Sequence, residues 1–299
     1  MMYKRLKNKV TSLSGKTVAI SGATGGIGNE LCMYLLHLGA ALILLDRNRK
    51  KSDSLKDALL ARFPNAEISQ ITLDLEDIET VRVACAELET LPLDAIILNA
   101  GAYSIPRHKC STGYDNVFQI NFVSPYFMAR RLIPHLEKRK GRVIAVCSIA
   151  HNYSKIDVND IDFSNRKKAS LVYGNAKRYL MYSLLGLFEG VENVSLAVAH
   201  PGITFTGITD HYPKLIFALI KHPMKVIFMR PKKACLGILL GLFEKTESNF
   251  WIGPRIFDIW GMPKKKRLKS ASKDEQKIIC ENADRIFKKL NSRDNNDEI

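Results

Sequence analysis

The chain has 299 residues, 46% of them hydrophobic and 25% charged, with a formal net charge of +15. This length suits one large α/β domain, and no apolar run approaches the roughly 18 residues that would cross a bilayer. The basic excess raises nucleic acid and anionic membranes as partners, but the sequence carries no nucleic-acid-binding motif, so we expect no nucleic-acid partner.

Cysteine usage and the N-terminus give an expectation for the compartment. The six cysteines are scattered without a C-x-x-C pair, at Cys32, Cys85, Cys110, Cys147, Cys235 and Cys280. This pattern predicts buried free thiols in a reducing compartment, and neither a disulfide framework nor a metal site. The basic N-terminus lacks the apolar core of a signal peptide or anchor, so we expect a cytoplasmic protein.

The first predicted element is a buried strand, Val18–Ile20, which leads through a glycine-rich turn into an apolar helix starting near Ile27. The turn, Ser21–Gly28, contains four glycines. Because glycines let the backbone approach a ligand and a helix N-terminus favours an anion, this turn predicts a cradle for a pyrophosphate. Its glycine spacing differs from G-x-G-x-x-G, and the alternative is a tight strand-to-helix turn without a ligand.

The second predicted strand, Ala41–Leu45, ends at Asp46. In a nucleotide-binding βαβ unit, an acidic residue about twenty positions after the glycines binds the ribose hydroxyls of NAD and repels a 2′-phosphate. Arg47 follows at once and could pair with the 2′-phosphate of NADP, or be a solvated residue that opens a basic run. Asp46 therefore favours NAD, and Arg47 keeps NADP open.

Strands and helices alternate along the rest of the chain. The further strands are predicted at Glu67–Leu73, Asp94–Leu98, Arg142–Val146, Val194–Ala199 and Asn249–Gly253, and the helices at Leu55–Arg62, Ile78–Leu88, Tyr114–Leu132, Ile238–Phe243 and from Tyr173 onward. This order predicts a Rossmann-type α/β fold, a doubly wound parallel sheet in a single domain, with ligands at the carboxyl ends of the strands.

Tyr173 and Lys177 lie four residues apart on one predicted helix, so both side chains project from the same face. A phenol with an ordinary pKa near 10 is a poor base at neutral pH, and a nearby ammonium group stabilises the phenolate. The pair could then move a proton at an alcohol oxygen, to which Ser148, after the fifth strand, could hydrogen-bond. Alone, Y-x-x-x-K is more often an ordinary helix surface.

Together, the motifs resemble the short-chain dehydrogenase/reductase family over roughly Lys16–Gly261. The matching motifs follow the family's order: T-G-x-x-x-G-x-G as Ser21–Gly28, an aspartate as Asp74, N-A-G as Asn99–Gly101, an asparagine as Asn121, a serine as Ser148, Y-x-x-x-K as Tyr173–Lys177, and P-G-x-x-x-T as Pro201–Thr206. The resemblance implies a catalytic tetrad of Asn121, Ser148, Tyr173 and Lys177.

The resemblance also implies which residues bind the coenzyme. Asp74 would face the adenine, Asn99 would support the nicotinamide-side ribose, and Lys177 would hold ribose hydroxyls. Ile203 and Thr206 would contact the carboxamide. The whole implied set is Ser21, Gly22, Thr24, Gly26, Ile27, Gly28, Asp46, Arg47, Asp74, Leu75, Asn99, Ala100, Gly101, Tyr173, Lys177, Pro201, Gly202, Ile203 and Thr206.

Two details narrow the branch of the family. The interval from Ser148 to Tyr173 is about twice the usual one, and S-I-A-H followed by a polar insert with I-D-F-S-N is similar to the retinol dehydrogenase and protochlorophyllide reductase branch, whose enzymes handle bulky apolar substrates. The segment Pro213–Lys233, where the family places its substrate-covering segment, mixes apolar residues with cations. It would suit an anionic membrane interface or a lid with solvated lysines.

We therefore predict a basic N-terminal segment at residues 1–14, an oxidoreductase domain at 15–262 with a substrate lid about 207–233, and a basic and mixed-charge helical tail at 263–299. The predicted function is hydride transfer between NAD, or NADP, and a secondary alcohol or ketone of a small apolar molecule, steroid- or retinoid-like, with Tyr173 as general acid and base. The alternative is a nucleotide-binding scaffold or sensor without turnover, peripheral to a membrane. The resemblance also implies a homo-oligomer.

Overall fold

Eight strands form one sheet in the computed structural model, which describes residues 6, 9–204, 229–246, 249–268 and 271–292. The strands are β1 (Thr17–Ser21), β2 (Ala41–Asp46), β3 (Ile68–Thr72), β4 (Ala95–Leu98), β5 (Arg142–Val146), β6 (Ser195–Ala199), β7 (Phe250–Ile256) and β8 (Trp260–Arg267). They lie in the order β3-β2-β1-β4-β5-β6-β7-β8, with all neighbours parallel except β7 and β8. The prediction of a doubly wound parallel sheet is confirmed.

The helices pack on both faces of the sheet. They are α1 (Gly26–His37), α2 (Arg49–Arg62), α3 (Ile78–Glu89), α4 (Asn116–Phe118), α5 (Ser124–Glu137), α6 (Ala169–Leu187), α7 (Pro231–Gly241) and α8 (Lys273–Asn291). Side chains of β1 alternate between the faces, as the two-residue period of a strand requires: Ala19 joins the core under α3, α5, α6 and α8, while Val18 and Ile20 join the core under α1, α2 and α7.

The long helix predicted at Tyr114–Leu132 is interrupted. Between α4 and α5 the chain forms a π-helical turn, Gln119–Val123, with Asn121 at its centre. Pro125 has no backbone N–H, so it cannot donate the i→i−4 hydrogen bond to the carbonyl of Asn121 that a continuous α-helix would need. The side chain of Asn121 bonds nearby carbonyls, with Nδ2 2.9 Å from the oxygen of Val117. The interruption therefore falls at a predicted catalytic residue.

The C-terminal part of the chain belongs to the same core. Residues 263–267, which the sequence assigns to a basic tail, continue strand β8. After them, Ser272 caps α8 by accepting a hydrogen bond from the backbone N–H of Glu275 at 3.2 Å. The apolar face of α8 is buried through Ile279, Ala283, Ile286 and Leu290 against the α5 and α6 side of the sheet. The helix predicted within the tail is therefore present, and it covers the helices next to the candidate site.

Candidate active site

The turn between β1 and α1 has the close packing of a phosphate cradle. Gly25 precedes the first residue of α1 and, with Gly26, Ile27 and Gly28, lines a cleft at the carboxyl edge of the sheet. A Cβ atom on Gly28 would lie 2.2 Å from the carbonyl oxygen of Gly22, so no other residue fits there. The exposed backbone of this turn and the helix N-terminus fit the pyrophosphate of a dinucleotide.

Ser21 and Asn99 join the glycine turn to the end of β4. The hydroxyl of Ser21 accepts hydrogen bonds from the backbone N–H groups of Asn99 and Ala100, both at 3.0 Å. In return, Nδ2 of Asn99 donates to the carbonyl oxygens of Ser21 at 3.0 Å and Gly22 at 3.2 Å. These bonds hold the two loops side by side at the carboxyl edge. The hydroxyl of Ser21 is therefore the group that matters at this position, and a threonine would provide the same hydroxyl.

Asp46, at the end of β2, is bonded to the protein through both oxygens. Its Oδ1 accepts from the backbone N–H of Thr24 at 3.0 Å and from the Thr24 hydroxyl at 2.8 Å, and its Oδ2 accepts from Ser52 at 3.3 Å. Only 6% of the residue is exposed. Arg47 beside it is exposed and lines the cleft. The carboxylate therefore supports the glycine turn, and the guanidinium faces the cleft.

The cleft in front of these loops has a volume of about 760 Å³. Its walls include most of the predicted coenzyme-binding residues: Gly22, Thr24, Gly26, Ile27, Gly28, Asp46, Arg47, Asp74, Leu75, Asn99, Ala100 and Gly101. It also includes residues that sequence reasoning missed, among them Asn48, Lys51, Glu76 and His108. Nε2 of His108 lies 3.1 Å from a carboxylate oxygen of Glu76. The two residues are 32 positions apart in the chain, and no local sequence pattern predicts either one. The cleft has the volume and the glycine and polar lining that suit a dinucleotide.

Ser148, Tyr173 and Lys177 form a cluster next to the loop after β4, part of which lines that cleft. The hydroxyls of Ser148 and Tyr173 are hydrogen-bonded. Lys177 lies one turn further along α6, with its ammonium nitrogen 5.7 Å from the centre of the Tyr173 ring and 3.0 Å from the carbonyl oxygen of Val146, to which it donates. The ring of Tyr103 packs edge-on against Tyr173 at 5.3 Å. The predicted serine, tyrosine and lysine therefore form one cluster.

Burial sets the protonation of this cluster. Burial raises the pKa of Tyr173 well above its ordinary value, and the hydrogen bond from Ser148 opposes that rise. Burial also lowers the pKa of Lys177 to about 8, while the nearby Cys147 opposes that shift. In the protein alone the phenol is protonated at neutral pH. A positive charge placed near the phenol would stabilise its ionised form.

Gly101 connects Asn121 to the cluster. A Cβ atom on Gly101 would lie 2.7 Å from Oδ1 of Asn121 and 3.5 Å from the ammonium nitrogen of Lys177. Asn121 is fully buried, and its amide exchanges hydrogen bonds with the backbone of Ala102, donating at 2.8 Å and accepting at 3.3 Å. The structure thus brings all four residues of the predicted tetrad around the loop after β4.

The remaining predicted residues follow β6. Pro201 and Gly202 are buried, and the carbonyl oxygen of Ile203 accepts a hydrogen bond from the backbone N–H of Met229 at 2.8 Å. Thr206 and most of the predicted lid, through residue 228, lie outside the described residues. Within the described ranges, no group of three or more His, Cys, Asp or Glu side chains is placed to hold a metal ion. None of the described helices combines the length and the apolarity needed to cross a bilayer.

A Rossmann-type sheet with a glycine turn, an N-A-G loop and a Ser–Tyr–Lys cluster at its carboxyl edge is the arrangement of a dinucleotide-binding fold. Residues 16–159 match the family model described as short chain dehydrogenase. The chain belongs to the short-chain dehydrogenase/reductase family.

Relatives in the same family include the chloroplastic short-chain dehydrogenase TIC 32 A of Brassica napus, 30% identical over 65% of this chain and 66% of that protein. Retinol dehydrogenase 14 of Mus musculus is 29% identical over 67% of this chain and 64% of that protein. The chain thus matches slightly less than two thirds of these relatives' own length. The predicted resemblance to the retinol dehydrogenase and protochlorophyllide reductase branch is confirmed.

Solved structures share the fold at low sequence identity. An uncharacterised protein from Mycobacterium paratuberculosis is 22% identical with a TM-score of 0.69, and the match covers 94% of this chain and 95% of that one. A short-chain dehydrogenase from Sphingobium yanoikuyae in complex with NADPH is 18% identical with a TM-score of 0.59, covering 76% of this chain and 83% of that one. At these identities the likeness establishes the fold.

Proposed function

We propose that this protein is an oxidoreductase that transfers hydride between a nicotinamide coenzyme and a secondary alcohol or ketone of a small apolar molecule. The observation that carries the proposal is the hydrogen-bonded Ser148–Tyr173 pair with Lys177 buried beside it, next to a cleft that fits a dinucleotide. The coenzyme supplies or accepts the hydride. The residues of this chain hold the substrate oxygen and move its proton.

Tyr173 is the proposed general acid and base. Its hydroxyl gives a proton to a carbonyl oxygen during reduction, or takes one from an alcohol during oxidation, while Ser148 donates a hydrogen bond to the same oxygen. Lys177 stabilises the phenolate electrostatically from one helical turn away. Asn121 holds the backbone of the loop after β4 in place through Ala102. Its proposed role is to keep that loop, and Gly101, at the nicotinamide end of the cleft.

The choice between NAD and NADP depends on the end of β2. The sequence favours NAD through Asp46, but the comparisons do not support that preference, and solved relatives include one in complex with NADPH. Both oxygens of Asp46 are engaged by Thr24 and Ser52, while Arg47 and Lys51 are exposed on the cleft. We therefore favour NADP(H), with the 2′-phosphate held by these two cations.

The substrate class follows from the branch of the family. Relatives include proteins named retinol dehydrogenase 12, 13 and 14. An apolar alcohol or ketone, steroid- or retinoid-like, is therefore the first class to assay. The predicted compartment is the cytosol, on the basis of cysteines that are all free. Peripheral membrane contact through residues 213–233 and a homo-oligomer stay predictions.

The test uses the purified chain with NADPH or NADH and a panel of apolar ketones, comparing wild type with Tyr173→Phe. We expect this change to lower kcat by a factor of about 100 or more, because it removes the proton donor, and to change coenzyme affinity by less than about threefold. Tyr114→Phe is the matched control, because this half-buried tyrosine lies away from the cluster. Turnover that survives in Tyr173→Phe would refute the proposed chemistry. Coenzyme binding without any turnover would favour the scaffold alternative.

A further inference from the structure

Exposed apolar side chains concentrate at one edge of the molecule. Among the described residues, large apolar side chains are most exposed at Val83 (57%), Tyr153 (50%), Val158 (59%), Ile256 (49%) and Phe257 (78%). Of these, Tyr153 and Val158 follow β5, and Ile256 and Phe257 lie at the end of β7 and just after it. Only β6 separates those two parallel strands, so four of the five lie at the carboxyl edge that carries the candidate site. We call these four residues the apolar rim.

The hairpin between β7 and β8 carries the most exposed member of the rim. Phe257 and Asp258 have φ angles of +49° and +57°, in the left-handed region where glycine and asparagine are usual. A bulky residue is strained there, and the fold gains little burial from a ring that is 78% exposed. Trp260, opposite Ile256 in the hairpin, adds a second partly exposed aromatic ring. This composition suits contact with something outside the protein.

The hairpin tip is fixed to the loop after β6. Nε2 of His200 donates to the carbonyl oxygen of Asp258 at 3.0 Å. Gly202 packs so closely on the tip that a Cβ atom there would lie 2.7 Å from the carbonyl oxygen of Ile259. Because Pro201, Gly202 and Ile203 belong to the predicted coenzyme-binding set, the apolar rim lies at the mouth of the proposed site.

Charge around the rim is cationic. The nearby carboxylates are neutralised within the fold, Asp157 by Arg166 at 2.6 Å and Asp258 by Lys266 at 2.7 Å. Arg255, beside the tip, is exposed and forms no ion pair with any residue that the structure describes. Apolar and aromatic side chains beside an unpaired cation suit a surface that lies in the interface of an anionic bilayer.

We propose that the apolar rim inserts into the interface of an anionic phospholipid bilayer, and that an apolar substrate reaches the site from that bilayer. The second part deepens the proposed function, because it names where the substrate comes from. The insertion of the rim into a bilayer does not depend on whether the protein turns over a substrate. Arg255 would meet the phosphate groups, while Phe257 and Ile256 enter the region below them. None of the four rim residues belongs to the segment 213–233, for which membrane contact is predicted separately.

The test is sedimentation of the full chain with vesicles of phosphatidylcholine that contain about 30% phosphatidylserine. Vesicles of phosphatidylcholine alone serve as the comparison. Wild type should bind the anionic vesicles. The double variant Ile256→Ser with Phe257→Ser should bind them at least about tenfold more weakly, since two apolar contacts are lost. Val83→Ser removes an equally exposed apolar side chain on α3 and should bind as wild type does. All three substitutions lie at exposed positions, so thermal melting should differ little and will report misfolding.

Intrinsic fluorescence supplies a second readout. The chain has two tryptophans, of which Trp251 is buried and Trp260 lies beside the tip. We expect anionic vesicles to shift wild-type emission to the blue and to leave the emission of Trp260→Phe unchanged. No vesicle binding by wild type at low salt would overturn the proposal, as would full binding by the double serine variant. If a rim variant changed only the apparent size of the protein in gel filtration, the rim would contact a second copy of the chain. That outcome would contradict the proposal. Loss of turnover in Tyr173→Phe affects none of these outcomes.

Discussion

Arg178 and Glu275 form a doubly hydrogen-bonded ion pair that ties the helix of Tyr173 and Lys177 to the C-terminal helix. Nε and Nη2 of Arg178 lie 2.7 Å and 2.6 Å from the two carboxylate oxygens. The Arg178 side chain is buried and the Glu275 side chain is largely so, with 8% and 12% exposed. Nη1 of the same guanidinium donates to the carbonyl oxygen of His151 at 2.9 Å. One buried pair therefore connects α6, α8 and the segment that follows Ser148.

We expect Glu275→Gln to destabilise the protein by roughly 3 kcal/mol at pH 7, because it leaves the Arg178 guanidinium buried without its counter-charge. Urea unfolding measures this change. The matched control is Asp284→Asn, which removes another α8 carboxylate, one that pairs with Arg130 at 2.7 Å where both side chains are more exposed. Exposed pairs contribute about 1 kcal/mol or less, so equal effects of the two variants would contradict the prediction.

The same pair predicts a pH dependence. Burial alone would raise the pKa of Glu275, but hydrogen bonds from Arg178 and from the backbone N–H of Ile156 lower it below its ordinary value. A carboxylate with a lowered pKa in the folded state adds stability that is complete above its unfolded pKa and is lost as the pH falls through the folded one. The stability gap between wild type and Glu275→Gln should therefore narrow below about pH 4.5.

Sequence reasoning located the elements that local pattern determines. The strand ends and the residues after them follow from apolar runs and breaker residues, so Asp46, Asn99 and Ser148 all lie where the alternation puts them. The Arg178–Glu275 pair could not be predicted, because its members are 97 residues apart and each looks like an ordinary helix charge. Local sequence pattern therefore predicts which residues lie at the carboxyl edge of the sheet. It does not predict which side chains from distant parts of the chain pair with each other.

One departure from the predicted helices has a local physical cause that the sequence did contain. The helix predicted through Asn121 is interrupted by a π-helical turn because Pro125 removes the hydrogen bond that the carbonyl of Asn121 needs. The role of Asp46 as a ribose ligand stays a prediction, and the structure adds that Asp46 is bonded to Thr24 and Ser52. A carboxylate next to free backbone N–H groups accepts hydrogen bonds either from the protein or from a ligand. Sequence composition alone does not reveal which of the two a given carboxylate does.

Gly101→Ala tests the packing of the predicted tetrad. The new methyl group would meet Oδ1 of Asn121 at 2.7 Å, so we expect Asn121 to shift, with a loss of about 1–3 kcal/mol in the free energy of unfolding. Turnover should fall more than this stability loss explains, because the displaced amide no longer holds the loop. Gly190→Ala is the control, since a Cβ atom there meets nothing within 4 Å. If both variants behave as wild type does in melting and kinetics, the tight contact has no consequence.

Lys177→Met should alter how stability depends on pH. Below pH 8 the wild-type ammonium is charged in both states and its burial opposes folding; between pH 8 and 10.5 the unfolded state binds more protons, so wild-type stability rises with pH. The full difference corresponds to about 3 kcal/mol. Urea unfolding at pH 7 and pH 10 should show this rise in wild type and in the exposed control Lys138→Met, and not in Lys177→Met. Parallel curves for all three would mean that Lys177 is not desolvated.

Coenzyme preference separates the two interpretations of the end of β2. If Arg47 holds a 2′-phosphate, Arg47→Ala should weaken NADPH at least about tenfold in a fluorescence titration and leave NADH nearly unchanged. Arg49→Ala is the control, because that neighbouring guanidinium pairs with Asp53 at 3.0 Å and is not among the residues that line the cleft.

Asp46→Ala should weaken both coenzymes, because it frees Thr24 and with it the glycine turn that binds the pyrophosphate. The alternative makes the opposite prediction: if Asp46 binds the ribose hydroxyls, its removal improves NADPH binding and weakens NADH alone. An improvement with NADPH would restore the preference for NAD that the sequence favours. A parallel loss with both coenzymes would assign Asp46 to the support of the loop.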